Sequence, residues 1–167
     1  KSRSVSTSQI LFEDYPFDKA RIVMEEMTRS LSYELMRYNL VADNVNIFIG
    51  YSKDVIPPSK GHVRMPIATN LSSLILPYVM GCFDGAAQRG EAIRRLGIAF
   101  SNVADIRCER YDLFTDPAWV ERERKRELAA IQIHSKYGKN ALIRAADLLE
   151  GATARIRNTL IGGHNSE

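Results

Sequence analysis

Arg94 and Arg95 head the run Arg94-Arg95-Leu96-Gly97-Ile98-Ala99-Phe100-Ser101-Asn102, whose residue types suit contact with a polyanion. From Leu96 the run alternates. Leu96, Ile98 and Phe100 fall on one face, and Arg95, Gly97 and Ala99 on the other, which is the period of a half-buried strand. Guanidinium groups pair with phosphate oxygens, and small neighbours let a bulky anion come close. Three further stretches share this chemistry. Segments 1–12, 44–53, 60–69 and 92–103 contain no Asp or Glu, yet carry Lys1, Arg3, Lys53, Lys60, Arg64, Arg94 and Arg95. Poor strand propensity accounts for the missing acids but not for the bases. Concentration of positive charge in strand-like segments predicts a basic sheet face, although the whole chain is only +3.

Catalytic constellations are missing from the sequence. There is no Gly-rich phosphate loop ending in Lys-Ser/Thr, no carboxylate pair on an apolar strand and no nucleophile elbow. His62, His134 and His164 stand apart, without Cys or carboxylate at ligand spacing, so no metal or cofactor is expected. Cys82 and Cys108 read as two thiols of a reducing cytoplasm. The longest apolar run, around Leu74 to Met80, is well short of a membrane span. The opening Lys-Ser-Arg-Ser is unlike a signal peptide, and a start on Lys1 reads as a piece of a longer polypeptide.

The elements that must position these bases follow from periodicity. Residues 1–12 read as a hydroxyl-rich strand. Ala20, Met24, Met27, Leu31, Leu35 and Tyr38 form one stripe of a helix from about Asp18 to Tyr38. A strand from Asn44 puts Val45, Ile47, Ile49 and Tyr51 inward. After a loop with Pro57-Pro58, Lys60 to Thr69 is a strand with Val63, Met65 and Ile67 inward and His62 and Arg64 outward. Pro66 suits an edge strand or bulge. An apolar helix capped by Thr69 or Asn70 runs towards Gly85, with Pro77 expected to kink it. The order strand, helix, strand, strand, helix, strand is that of an α+β, ferredoxin-like βαββαβ sandwich, with four antiparallel strands and both helices on one face. Residues 1–105 form this domain and 106–115 a connector. Residues 116–167 form a helical extension, with Asp116 and Pro117 starting a helix that Gly138 ends, and a shorter helix over Asn140 to Glu150.

RNA-recognition modules share this strand order but stack bases on aromatics of the central strands. Lys60-Gly61-His62-Val63 opens like their signature, after which Val63 and Met65 fill the aromatic positions. Phe12 and Phe48 are the other aromatics available, so phosphate contact is favoured over base stacking.

Taken together, four patches resemble the C-terminal part of Y-family translesion DNA polymerases, the UmuC/DinB (ImpB/MucB/SamB) proteins, and within them the UvrX-like UV-damage repair branch. The patches are Arg3-Ser4-Val5-Ser6, the Arg94–Asn102 run, Ser135-Lys136-Tyr137-Gly138-Lys139-Asn140, and Gly151-Ala152-Thr153 with Ile161-Gly162-Gly163-His164. The resemblance implies a little finger domain that lies in the major groove of double-stranded primer–template DNA and grips both backbones without reading sequence. It also implies a cytoplasmic enzyme of the SOS response to DNA damage, whose nucleotidyl transfer and Mg belong to a catalytic part outside this chain. By the resemblance, the DNA contacts are Arg3, Ser4, Ser6, Arg94 and Arg95. Strand parity adds His62 and Arg64, with Lys53 and Lys60 at the adjoining loop. Arg110-Tyr111-Asp112-Leu113-Phe114 resembles the Gln-Leu-Ser/Asp-Leu-Phe peptide with which bacterial polymerases hold the sliding clamp, Arg110 standing for Gln and Tyr111 for Leu. Against it stands an ordinary turn whose Leu113-Phe114 pair packs on the core. The competing view of the whole chain is a stand-alone ferredoxin-like interaction or regulatory module with incidental basic strands.

Overall fold

A computed structural model of the chain describes residues 3–52, 56–161 and 164–165. Lys1, Lys53 and Gly162-Gly163 lie outside the described residues. The elements run β1 (Val5–Tyr15), α1 (Phe17–Arg37), β2 (Leu40–Tyr51), β3 (Ser59–Thr69), α2 (Ser72–Ala86), β4 (Ile93–Ser101) and a short β5 (Ala104–Asp105). They continue with α3 (Pro117–Tyr137) and a single turn α4 (Ala154–Arg157). The fold is α+β. Its antiparallel sheet has the order β1-β4-β2-β3, with β5 joined to the start of β2. β4 separates β1 from β2, and β2 separates β3 from β4, so each crossover through α1 or α2 skips one strand and lays its helix on the same side.

The core lies between that helix pair and the sheet. Met24, Met27, Leu31 and Leu35 of α1 and Ile75, Val79 and Phe83 of α2 cover Val45, Ile47, Ile49, Leu96, Ile98 and Phe100. The period-two pattern therefore holds in both central strands. Tyr38 leaves the α1 stripe and is an exposed C-cap, because the helix ends at Arg37. Neither Thr69 nor Asn70 caps α2. Its N-cap is Leu71, and the free N–H of Ser72 bonds instead to Glu127 of α3. Pro77 sits within an unbroken α2.

The connector is more ordered than its polarity implies. β5 pairs with Leu40 and Val41, and Arg110 exchanges two backbone hydrogen bonds of 3.0 Å with Ala68. α3 starts as expected, with the Asp116 side chain accepting from Ala118 N–H and Pro117 at the first position. A helix over 140–150 does not form. Only a 3₁₀ turn at Ala145–Leu148 is present, with Leu142, Leu148 and Leu149 exposed, so little apolar burial is there to stabilise a longer helix. The extension docks on the helix layer. Its hydrogen bonds and ion pairs to the domain reach Lys19, Glu26 and Tyr33 of α1, Asn70 and Ser72 at the start of α2, and Gln9, which faces the helices. Met36, Leu71, Val120 and Trp119 form a second small core at this junction.

Candidate nucleic-acid interface

The sheet face opposite the helices is built from registered rows. Ser6 of β1 lies beside Ala99 of β4, which lies beside Asn46 of β2 and then His62 of β3. The next row is Ser8, Gly97, Phe48 and Lys60. On one side of these, Ile10, Arg95 and Gly50 align; on the other, Ser101, Asn44 and Arg64 do. Hydroxyls thus line most of the β1 edge and cations the β3 edge, while the two middle strands carry small or amide side chains together with Phe48 and Arg95. No Asp or Glu occupies the outward positions of β1 up to Ile10, of β2 from Asn44 to Gly50, or of β3 and β4. Every formal charge on these rows is positive.

Two polar bridges fix the middle. Asn46 Nδ2 donates to Ser101 Oγ at 2.9 Å, and His62 Nε2 lies 3.2 Å from Asn44 Oδ1. Among the described residues, Lys60, Arg64 and Arg95 make no salt bridge, and all three are exposed.

Arg94 and Arg3 fall elsewhere. Gly50 pairs with Arg95 and Tyr51 with Ile93, so Arg94 is the extra residue of a β-bulge. Its Nη1 sits 3.7 Å from Asp14 Oδ1, a half-exposed pair that offsets its charge. Arg3 precedes β1 in phase with Val5 and Thr7, and its carbonyl accepts from Val103 N–H at 3.1 Å. Ser4 is exposed and in phase with Ser6.

The 110–114 segment divides in two. Arg110 Nη2 donates to Asp43 Oδ2 at 2.6 Å, and Asp43, 2% exposed, also accepts from Asn102 Nδ2 at 2.7 Å. Burial raises the Asp43 carboxyl, but the donors Asn102 and Arg110 outweigh it and hold its pKa below the ordinary value. Tyr111 packs in the second core and donates to Glu109 Oε1 at 2.5 Å; burial and that bond push its phenol up to about 12. Beyond it, Asp112 Oδ1 accepts from Phe114 N–H and Thr115 Oγ1, closing a turn. Leu113 and Phe114 are 100% and 95% exposed. The pair does not pack on the core.

A cavity of about 440 Å³ opens between α1, α3 and the tail, lined in part by Tyr33, His134, Arg144 and Arg157. It belongs to the helix layer. Two acids on its wall, Glu26 and Glu127, serve as caps: Glu26 accepts from Thr153 and Ala154 N–H, Glu127 from Ser72 N–H and Oγ. No spacing signal in the sequence marks either contact. Among the described residues, no group of three or more His, Cys, Asp or Glu is placed to hold a metal, and no helix is long and apolar enough to cross a membrane.

Residues 2–113 match the C-terminal domain of the impB/mucB/samB family, so the chain belongs to that family. Among curated proteins it is similar to the putative UV-damage repair protein UvrX of Bacillus subtilis (strain 168), 28% identical over 167 residues, covering 98% of this chain. The chain spans 39% of that relative's length. Among solved structures, one in a complex of the beta-clamp processivity factor and the little finger domain of PolIV aligns with 16% identity and a TM-score of 0.44 over 68% of this chain and 100% of that one. The family match stops at residue 113, whereas the likeness to UvrX takes in nearly all of the extension.

Proposed function

We propose that the open face holds duplex DNA by its two backbones, as the DNA-gripping little finger of an error-prone translesion polymerase whose catalytic carboxylates and Mg lie in other parts of the parent enzyme. The observation that carries this reading is the layout of the face. Hydroxyls on β1 and cations on β3 stand three strand spacings apart, about 14 Å at the usual spacing of about 4.8 Å. The major groove of DNA is about 12 Å wide, so the two edges suit the phosphates on its two sides. Backbone contact carries no sequence information, which lets lesions pass. Membership of the impB/mucB/samB family and likeness to a UV-damage repair protein support the same role. Leu113 and Phe114, exposed on a turn fixed by Asp112, serve in this reading as the anchors for a sliding clamp, with Arg110 and Tyr111 given over to the fold.

Fluorescence anisotropy of labelled duplexes of unrelated sequence tests the proposal. Similar affinities are expected, with a log–log salt slope of about −0.9 for each phosphate contacted. A slope near zero, or strong preference for one sequence, overturns it.

A further inference from the structure

Phe48 is the one large apolar side chain in the centre of the open face. Its neighbours along β2, Ile47 and Ile49, lie under the helices, while Phe48 is in phase with Asn44, Asn46 and Gly50 on the uncovered side. An aromatic ring placed there breaks the polar pattern of the outward positions and gains little from the core. Its seat is carved by two glycines. A Cβ at Gly50 would lie 3.2 Å from Phe48 Cε1 and 3.1 Å from Arg95 Cβ, and one at Gly97 would lie 3.4 Å from Phe48 Cβ. Neither glycine has the positive φ that would require glycine for the backbone. Glycine inside a strand weakens it and marks close approach of something to the backbone. Here that something is the Phe48 ring, leaning along β2 over Gly50. On the other side of Arg95, Ile10 of β1 is 62% exposed, so the arginine rises between two apolar side chains.

On the strength of the DNA reading above, we infer that Phe48, seated on Gly50 and Gly97, makes an apolar contact with the duplex inside the groove that the two charged edges straddle. The ligand chemistry is carbon: thymine C5-methyl groups or deoxyribose carbons, both of which a flat ring covers without accepting or donating hydrogen bonds. Such a contact releases no counterions. It adds affinity that salt does not screen, and it holds the duplex at a fixed height over the sheet while the edges stay tolerant of sequence.

The test is anisotropy on the whole chain at several salt concentrations, with Phe48→Thr, which keeps strand propensity, and Phe48→Tyr, which keeps the ring. Phe48→Thr is expected to weaken duplex binding about tenfold at every salt concentration with an unchanged slope, and Phe48→Tyr to bind as the parent does. Equal binding by Phe48→Thr overturns the inference, as does a change of slope. If Phe48→Thr melts earlier, the series is repeated at a temperature where both proteins are fully folded, and the same salt-independent loss must appear there; unaltered binding again overturns the inference. Duplexes with dU for dT separate the two carbon sources. Loss in the parent but not in Phe48→Thr identifies the methyl group, and no loss in either identifies the sugar, both within the proposal. A parent slope near zero is a different result and removes the DNA reading itself.

Discussion

Asp43 of β2 and Arg110 of the connector, 67 positions apart, meet at 2.6 Å, and this pair helps tie the start of the 110–114 segment to the sheet. Asp43 keeps the inward phase of Val45, opposite an irregularity at which β3 carries the extra residues between Arg64 and Thr69, and Arg110 and Asn102 satisfy it. The chain is thereby pinned as far as Arg110 and released two residues later.

Replacing Asp43 with Ala leaves a guanidinium and an amide without their acceptor. A loss of about 2–3 kcal/mol is expected in urea unfolding. Because the folded pKa of Asp43 is lowered, its contribution is present above the ordinary carboxylate pKa and is lost as pH falls through the folded value. Acid unfolding of Asp43→Asn should therefore be flatter than that of the parent. An unchanged acid limb would show that the pair contributes nothing.

Leu113 and Phe114 should behave oppositely. Fully exposed, they support no packing, so Leu113→Ala/Phe114→Ala should change stability by less than about 0.5 kcal/mol. The same double variant should lose retention on immobilised sliding clamp. Equal retention removes the clamp reading without touching the DNA reading.

Glu127 ties the extension to the domain by receiving Ser72 N–H and Oγ. Burial raises its pKa, against the lowering effect of those bonds. Glu127→Ala should cost about 2 kcal/mol, and Glu127→Gln, which keeps an acceptor, much less. With a raised folded pKa, the ionised form is disfavoured in the fold, so its share of stability is fullest below the ordinary pKa and falls as pH rises through the folded value. Stability of the parent relative to Glu127→Gln should therefore improve on acidification. The opposite trend in paired melts would contradict this.

Gly61 of β3 faces the core, where an added Cβ would lie 2.6 Å from Cys82 Sγ and 2.8 Å from Ile47 Cγ1. Gly61→Ala should destabilise by about 1–3 kcal/mol through overpacking, and Gly61→Ala/Cys82→Ala should recover part of it. No recovery would mean that the Ile47 contact dominates.

Local alternation was a dependable guide where one strand face is buried throughout. Leu96, Ile98 and Phe100 were legible for that reason, and with them the outward Arg95. It said nothing of Arg94, because a bulge adds a residue without altering composition, and the helix expected over Asn140 to Glu150 forms only a 3₁₀ turn whose leucines stay exposed. Contacts between distant residues left no periodic trace. Asp43 with Arg110, Glu26 with Thr153 and Glu127 with Ser72 depend on which elements the sheet order brings together. Phe48 was visible as an aromatic, but its seat required the register that sets Gly97 opposite it.

Lys60 and Arg95, which make no salt bridge among the described residues, are proposed to neutralise DNA phosphates, and the salt dependence of Lys60→Gln/Arg95→Gln tests this most directly. Weaker binding to every duplex is expected, with the log–log slope shallower by about 0.9 for each cation removed. A double variant with the parent's slope, or one whose loss is confined to particular sequences, would contradict it.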